Sequence, residues 1–394
     1  MPWKEVSLMQ SRRDFVSLAM AEGAKMRPLC RRFGISPKTG YKWLARALRD
    51  GSDALADRSR RPHISPRRTP EAMEQRVIAL RCDNPAWGGR KLNRRLRDLG
   101  HRDVPSPSTI TEILRRHGLL DPAQAAKHRP CTRFEHEAPN DLWQMDFKGH
   151  FALEAGGRCH PLTVLDDHSR FALCLRAYGD ERTETVRSGL IGVFERFGLP
   201  RRILCDNGSP WGNDIDHPHT PLGVWLIRLG IGLTHGRPHH PQTQGKDERF
   251  HRTLLAEAVR GQGLRDLDHC QRRFDTWREV YNHQRPHEAL GLGVPASRYA
   301  PSAREYTGVL APIEYGPDDA VRRVQCGGQV HFQGRLILVP KAFRGQQVAV
   351  RPTDADGHFS VHFCHQRIAA FDLRQASRPR ARPAGRGGET SGQG

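Results

Sequence analysis

Apolar residues recur with a helical period through the first third of the chain and with a strand period through much of the rest. Within 12–50, Met26, Leu29, Cys30 and Phe33 stand at i, i+3, i+4 and i+7, one face of a helix. Gly34 breaks that run. Ser36-Pro37 then restarts a helix as N-cap and first-turn proline. The second helix, SPKTGYKWLARALRDG, turns Leu44 and Leu48 inward and ends near Gly51. Helix, short glycine turn, helix is the helix-turn-helix pattern, here assigned to 1–55. Residues 56–69, ADRSRRPHISPRRT, are nearly free of apolar side chains and rich in proline and arginine, so they read as a basic linker. A second helix-turn-helix unit is predicted over 70–120. Thr69-Pro70-Glu71 caps its first helix, with Met73, Val77 and Leu80 on one face. WGGRKLNRRLRDLG (87–100) supplies the second helix. SPSTITEILRRHG (106–118) repeats the Ser-Pro start and turns Ile110, Ile113 and Leu114 inward.

A second linker spans 121–137, and from about 138 strands and helices mix. In DLWQMDFKGHFAL (141–153), Trp143, Met145 and Phe147 alternate with Gln144, Asp146 and Lys148, the period of a strand. CHPLTVLDDHSR and RFALCLRAYG are two further strands around Asp167-His168-Ser169. RTETVRSGLIGVFERFG (182–198) is an amphipathic helix, RRILCD (201–206) a fourth strand, TPLGVWLIRLG (220–230) a helix and IGLTHG (231–236) a fifth strand. Long helices follow over 241–260 and 267–286. This order predicts an α/β domain over 138–300 on a mixed five-stranded sheet, early strands antiparallel and later ones joined by crossovers. In 320–374, short alternating strands with a turn at Gly334 predict a small β-barrel. Residues 375–394 lack large apolar side chains and are predicted disordered.

Charge narrows the partners. The formal net charge is +20, and +14 of it falls within 1–137. A basic excess confined to one region points to a polyanion, because cations placed on phosphates release condensed counterions. On the helix-turn-helix units Ser36, Lys38, Thr39, Lys42 and Arg46, and then Thr109, Thr111, Arg115 and Arg116, are available to DNA. No run of about 18 apolar residues is present, so no membrane span is expected. The first residues lack the apolar stretch of a secretory signal. Nine scattered cysteines without a CxxC pair fit a reducing cytosol and speak against a structural zinc cluster.

Three acids remain that composition does not explain. Asp146 lies in the first strand of the mixed domain, Asp206 ends the fourth and Glu248 begins the helix after the fifth. If the two strands are neighbours, the carboxylates converge at one sheet edge and repel one another unless a cation neutralises them. Oxygen donors with retained waters suit two Mg²⁺, or Mn²⁺. Asn207-Gly208 permits a tight turn that leaves Asp206 at the strand end. Taken singly, Asp206 also reads as a turn residue and Glu248 as an ordinary first-turn acid. Asp166 and Asp167 read as turn formers with a possible ligand role. His235, His239 and His240 are placed beside the acids to touch phosphate.

The motifs WQMDFKG (143–149), LDDHSRF (165–171), CDNGSPWG (205–212), HGRPHHPQTQGKDERFHRTL (235–254) and YNHQRPHEAL (281–290) closely resemble bacterial insertion-sequence transposases with a DDE retroviral-integrase-type core. FGISPKTGYKWL (33–44), LADRSRRPH (55–63), NPAWGGRKL (84–92) and STITEILRRHGL (108–119) extend the resemblance to the front end. It implies an RNase H-like core, a catalytic and metal-holding triad at Asp146, Asp206 and Glu248, and helix-turn-helix binding to the inverted repeats of double-stranded transposon DNA. It also implies metal-dependent strand cleavage and transfer to target DNA by at least a dimer, in the bacterial cytoplasm at the nucleoid. The gap between Asp206 and Glu248 is longer than the family's usual spacing. Leu255 stands where the family commonly has Lys or Arg, with Lys246, Arg249 and Arg252 as substitutes facing DNA. The competing reading is a catalytically inactive DNA-binding protein or repressor derived from a transposase.

Overall fold

The computed structural model describes residues 7–57, 68–120, 135–212, 219–236, 245–374 and 382–383. The bulk of the basic linker, 121–134, His239, His240 and most of the tail predicted to be disordered lie outside the described residues. The chain divides into two compact units, 1–68 and 69–394.

The first unit holds α1 (Leu8–Met20), α2 (Met26–Arg32) and α3 (Pro37–Asp50). Ser36 caps α3 as expected: its hydroxyl accepts from the Thr39 N–H at 3.2 Å, and Pro37 opens the first turn. The inward face of α3 differs from the expected one. Gly40, Trp43 and Ala47 are buried, whereas Leu48 is 68% exposed and Leu44 is intermediate. The i, i+4 pair Trp43 and Ala47 sets the stripe, because the indole carries more apolar surface than either leucine. Gly40 is required there, since a Cβ would lie 2.6 Å from the Cys30 sulfur and 2.8 Å from the Phe15 ring.

The second unit begins with α4 (Glu71–Asp83), α5 (Gly89–Asp98) and α6 (Pro107–Arg116) around Met73, Val77, Trp87, Leu92, Leu96, Ile110, Ile113 and Leu114. Pro70, not Thr69, occupies the N-cap of α4, and no side chain caps that end. Ser106 caps α6 as Ser36 caps α3.

The mixed domain contains β1 (Trp143–Phe147), β2 (Phe151–Ala152), β3 (Arg158–Asp166), β4 (Ala172–Tyr178), α7 (Thr183–Phe197), β5 (Arg202–Cys205), α8 (Pro221–Arg228), β6 (Gly232–His235), α9 (Gly245–Leu254) and α10 (Leu267–His283). The strand order is β4-β3-β1-β5-β6, with the short β2 added to β3, so the sheet has six strands instead of five. β1, β3 and β4 pair antiparallel, and β1-β5-β6 pair parallel. Both faces are covered: α7 and α8 pack with Trp143, Met145, Leu162 and Val164, while α9 and α10 pack with Cys159, Leu165, Ala172 and Leu175. This is the RNase H-like layering, and it explains why Gln144, on the nominally polar face of β1, is buried.

The barrel region forms as an antiparallel sheet of β7 (Ala320–Arg323), β10 (Gln347–Pro352), β11 (His358–Phe363), β12 (Gln366–Asp372) and β13 (Arg382–Pro383), with a hairpin of β8 (Gln329–Phe332) and β9 (Arg335–Leu338). Gln333 and Gly334 both take positive φ, 46° and 72°, the two-residue turn that matches strand twist. One core unites sheet and hairpin, and Val224 and Ile227 of α8 belong to it.

Candidate active site

β1 is the centre of the site because it pairs on both edges. Its parallel register with β5 sets Trp143 against Ile203 and Gln144 against Leu204. Continued two residues, that register brings Asp146 and Asp206 side by side at the strand ends. Asp206 ends β5 in an Asx turn, its Oδ1 accepting the Gly208 N–H at 3.0 Å. Asn207 Nδ2 donates to the Gly236 carbonyl at 3.0 Å, and His235 Nδ1 lies 2.8 Å from the Asp206 carbonyl, so the turn is tied to the end of β6. The chain turns sharply after Asp206 because these bonds fold it back over the neighbouring strand.

The electrostatics follow from this placement. Burial, then the Asp206 charge, pushes Asp146 up to about 7. Burial also raises Asp206, opposed by the Gly208 N–H. Glu181 adds negative charge at both; it pairs with His160 Nδ1 at 2.7 Å. Nothing in the sequence motifs marks Glu181, which reaches the site only because α7 starts beside the sheet edge.

α9 buries Asp247, Phe250, His251 and Leu254, an i, i+3, i+4, i+7 stripe on the sheet. Glu248 is therefore exposed, one position round the helix from the buried Asp247. The apolar positions Phe250 and Leu254 carried that phase in the sequence. His251 is buried, and desolvation lowers it to about 3, so its imidazole is neutral. The Thr163 hydroxyl donates its one proton to the Asp146 carbonyl at 2.9 Å, so it must accept from His251 Nε2 at 2.8 Å. His251 is then the Nε2–H tautomer. Its bare Nδ1 faces Asp146 Oδ2 at 3.9 Å, too far for a hydrogen bond.

The remaining expected residues have definite places. Asp166 accepts from the Asn140 and Ser169 N–H groups at 2.8 Å each, as a turn former does. Asp167 accepts from the His136 N–H, from Gln144 Nε2 at 2.6 Å and from the Lys246 ammonium, so Lys246 is held inside the fold. Arg249 and Arg252 are exposed on α9, and Leu255 opens the π-helical turn Leu255–Val259. On the helical units Ser36, Lys38, Lys42, Thr109, Arg115 and Arg116 are exposed, and Thr39 and Thr111 are partly so. The Arg46 guanidinium stacks over the Trp43 ring at 4.8 Å, and Arg116 pairs with the buried Glu74 at 2.6 Å.

Whether these residues suit a divalent metal is a question of donor chemistry. The acids are hard oxygen donors, and Asp146 is held protonated up to near neutrality by burial and by the Asp206 charge, which a hard cation would offset. Among the described residues no three His, Cys, Asp or Glu side chains already surround one ion position. The donor chemistry fits, with Asp146 and Asp206 brought together by the β1–β5 register and Glu248 exposed on α9. The raised Asp146 sets a pH signature for the metal-free protein. Between about pH 4, where the unfolded acid ionises, and 7, the folded state holds a proton that the unfolded state has lost. Stability therefore falls as pH rises through that window. Thermal melts in a chelator should show this fall, and Asp146→Asn should lessen it, leaving the share of Asp206, Asp166 and Asp247, which are raised as well.

Comparisons with known proteins match this layout segment by segment. An integrase core domain covers 136–241, and a second integrase core model covers 229–295. A helix-turn-helix domain matches 12–63, a homeodomain-like domain 39–114 and the C-terminal domain of the IS481 family transposase 319–379. The chain matches an insertion-sequence transposase with an integrase-type core. Proteins similar to it include the insertion element IS407 uncharacterized 31.7 kDa protein of Burkholderia multivorans, 25% identical over 57% of this chain and 80% of that one. The insertion element IS476 uncharacterized 39.2 kDa protein of Xanthomonas euvesicatoria is 26% identical over 59% of this chain and 66% of that one. Among solved structures, the HTLV-2 integrase catalytic core domain in complex with magnesium aligns over 42% of this chain and 99% of that one, at 16% identity and a TM-score of 0.33. Among the described residues no helix is long and apolar enough to cross a membrane.

Proposed function

We propose that this transposase-type chain binds the terminal inverted repeats of an insertion sequence and catalyses metal-dependent strand cleavage and strand transfer. The observation that carries the reading is the parallel β1–β5 pairing, whose register continued two residues sets Asp146 beside Asp206, where the Asp206 charge adds to burial in raising Asp146. Asp146, Asp206 and Glu248 are the residues that would hold divalent ions, Mg²⁺ or Mn²⁺. Bound there, such ions supply activation of the attacking oxygen and neutralisation of the phosphate. The chain's own part is positioning: β1 and β5 hold two acids rigidly, His251 and Thr163 anchor α9 to the strand that carries Asp146, and Asn207 fixes the turn after Asp206. The helical units over 1–55 and 70–120 supply phosphate and base contacts, and cutting two ends calls for at least a dimer on DNA. The cell compartment consistent with this role is the bacterial cytoplasm, at the nucleoid.

The test is purified full-length protein with a labelled duplex carrying the element's end, Mg²⁺ and target DNA, with products resolved on a denaturing gel. Cleaved and joined strands support the reading. Tight, end-specific binding without product would support the inactive DNA-binding reading, which Leu255 favours. Lys38, exposed near the start of α3, makes a separate prediction. Lys38→Ala should weaken binding alike on specific and unrelated duplexes and lower the salt slope by about one unit, as loss of a phosphate contact does. Binding measured across a salt series checks it.

A further inference from the structure

The buried stripe of α9 contains a group that burial penalises. Phe250 and Leu254 are apolar, and His251 is neutral with its Nε2–H given to Thr163. Asp247 is a carboxyl group 1% exposed, and its Oδ1 has no hydrogen-bond partner among the described residues. Lys246, the cation next to it on α9, is engaged by Asp167. The negative charges of Asp146 and Asp167 both act on Asp247. β1, which α9 packs against, presents Gln144, 2% exposed, whose Oε1 is likewise without a partner, and then Asp146. Buried oxygen acceptors thus stand on two packed elements with no donor among the described residues to serve them. Such oxygens are satisfied by a proton, a water or a hard cation.

We propose that Asp247 is a further metal-holding carboxylate of this core, taking a divalent cation together with Asp146 from the sheet side of α9. This inference rests on the reading of the core as a metal-dependent one. Two carboxylates are enough protein ligands for Mg²⁺ or Mn²⁺, which keep several waters. Glu248 is exposed one position round the helix from Asp247.

Mn²⁺ binding to DNA-free, full-length protein, read by the electron paramagnetic resonance signal of the free ion, tests the assignment without any turnover. Asp247→Asn and Asp247→Val are compared with wild type. Both substitutions should weaken Mn²⁺ binding tenfold or more. Asp247→Val should melt in a chelator no lower than wild type, because an unpaired buried carboxyl is replaced by an apolar group of similar size; that shows the loss is not unfolding. Mn²⁺ affinity within twofold of wild type in both variants overturns the proposal. Strand products from wild type with unchanged Mn²⁺ binding in the variants would sink this assignment and leave the proposed function standing. Asp247-dependent Mn²⁺ binding in a protein that joins no strands would do the reverse.

Discussion

Asp206→Asn should abolish strand products while leaving DNA binding intact. Asparagine keeps the side-chain oxygen that accepts the Gly208 N–H, so the turn after β5 and the β5–β6 tie through Asn207 are retained. It removes one of the two adjacent negative charges that create the demand for a cation at this sheet edge. Metal stabilisation of a phosphoryl-transfer transition state is worth several kcal/mol, so the loss in rate should be about 10³-fold or more. Asp146 loses the neighbour that contributes to raising it, so its proton affinity should drop in the variant. The gel assay with Mg²⁺ checks the rate, and a gel shift on the same duplex checks binding. Residual cleavage within tenfold of wild type would remove Asp206 from the proposed catalytic group.

The second large effect is structural. Glu257 lies in the π-helical turn after α9, its side chain 5% exposed. Its carboxylate accepts from Trp277 Nε1 at 2.9 Å and from Arg285 Nε at 3.3 Å, and Arg285 is 7% exposed. The pair sits where the second helical unit meets the core. Arg95 of α5 donates to Gln284 at 2.7 Å, Val280 of α10 packs on the helical core, and burial with the Arg285 charge pushes Lys91 down to about 7. Glu257→Ala leaves a buried guanidinium beside His287 and Lys91 without its anion, and should cost about 3–5 kcal/mol. Chemical denaturation measures this. Glu257→Ala with Arg285→Met should recover much of the loss, since removing both charges avoids the unpaired one. A double variant as unstable as the single one would show that the charge is not the cause.

The local signals in the chain were strong wherever structure is local. Ser36 and Ser106 announced helix starts and cap them. Gln333-Gly334 makes the hairpin turn. The alternation around Trp143 was a strand, and the acids Asp146 and Asp206 stood at its end and at the end of the fourth predicted strand. Where the structure differs from the local reading, packing is the cause. Leu48 is exposed because α3 is turned by the Trp43 and Ala47 stripe that packs beneath it. Gln144, at an alternating polar position of β1, is buried because the sheet is covered on both faces.

The elements, their order, the basic front end and the acids available for chemistry are legible in the chain, because hydrophobic period, capping and turn chemistry act over a few residues. Which acids meet depends on the folded sheet. The order β4-β3-β1-β5-β6 makes neighbours of Asp146 and Asp206 across a long stretch of chain. The packing of α9 on that sheet puts Asp247 inside and Glu248 outside. Backbone pairing and burial between distant segments set those contacts, and no local spacing in the chain encodes them.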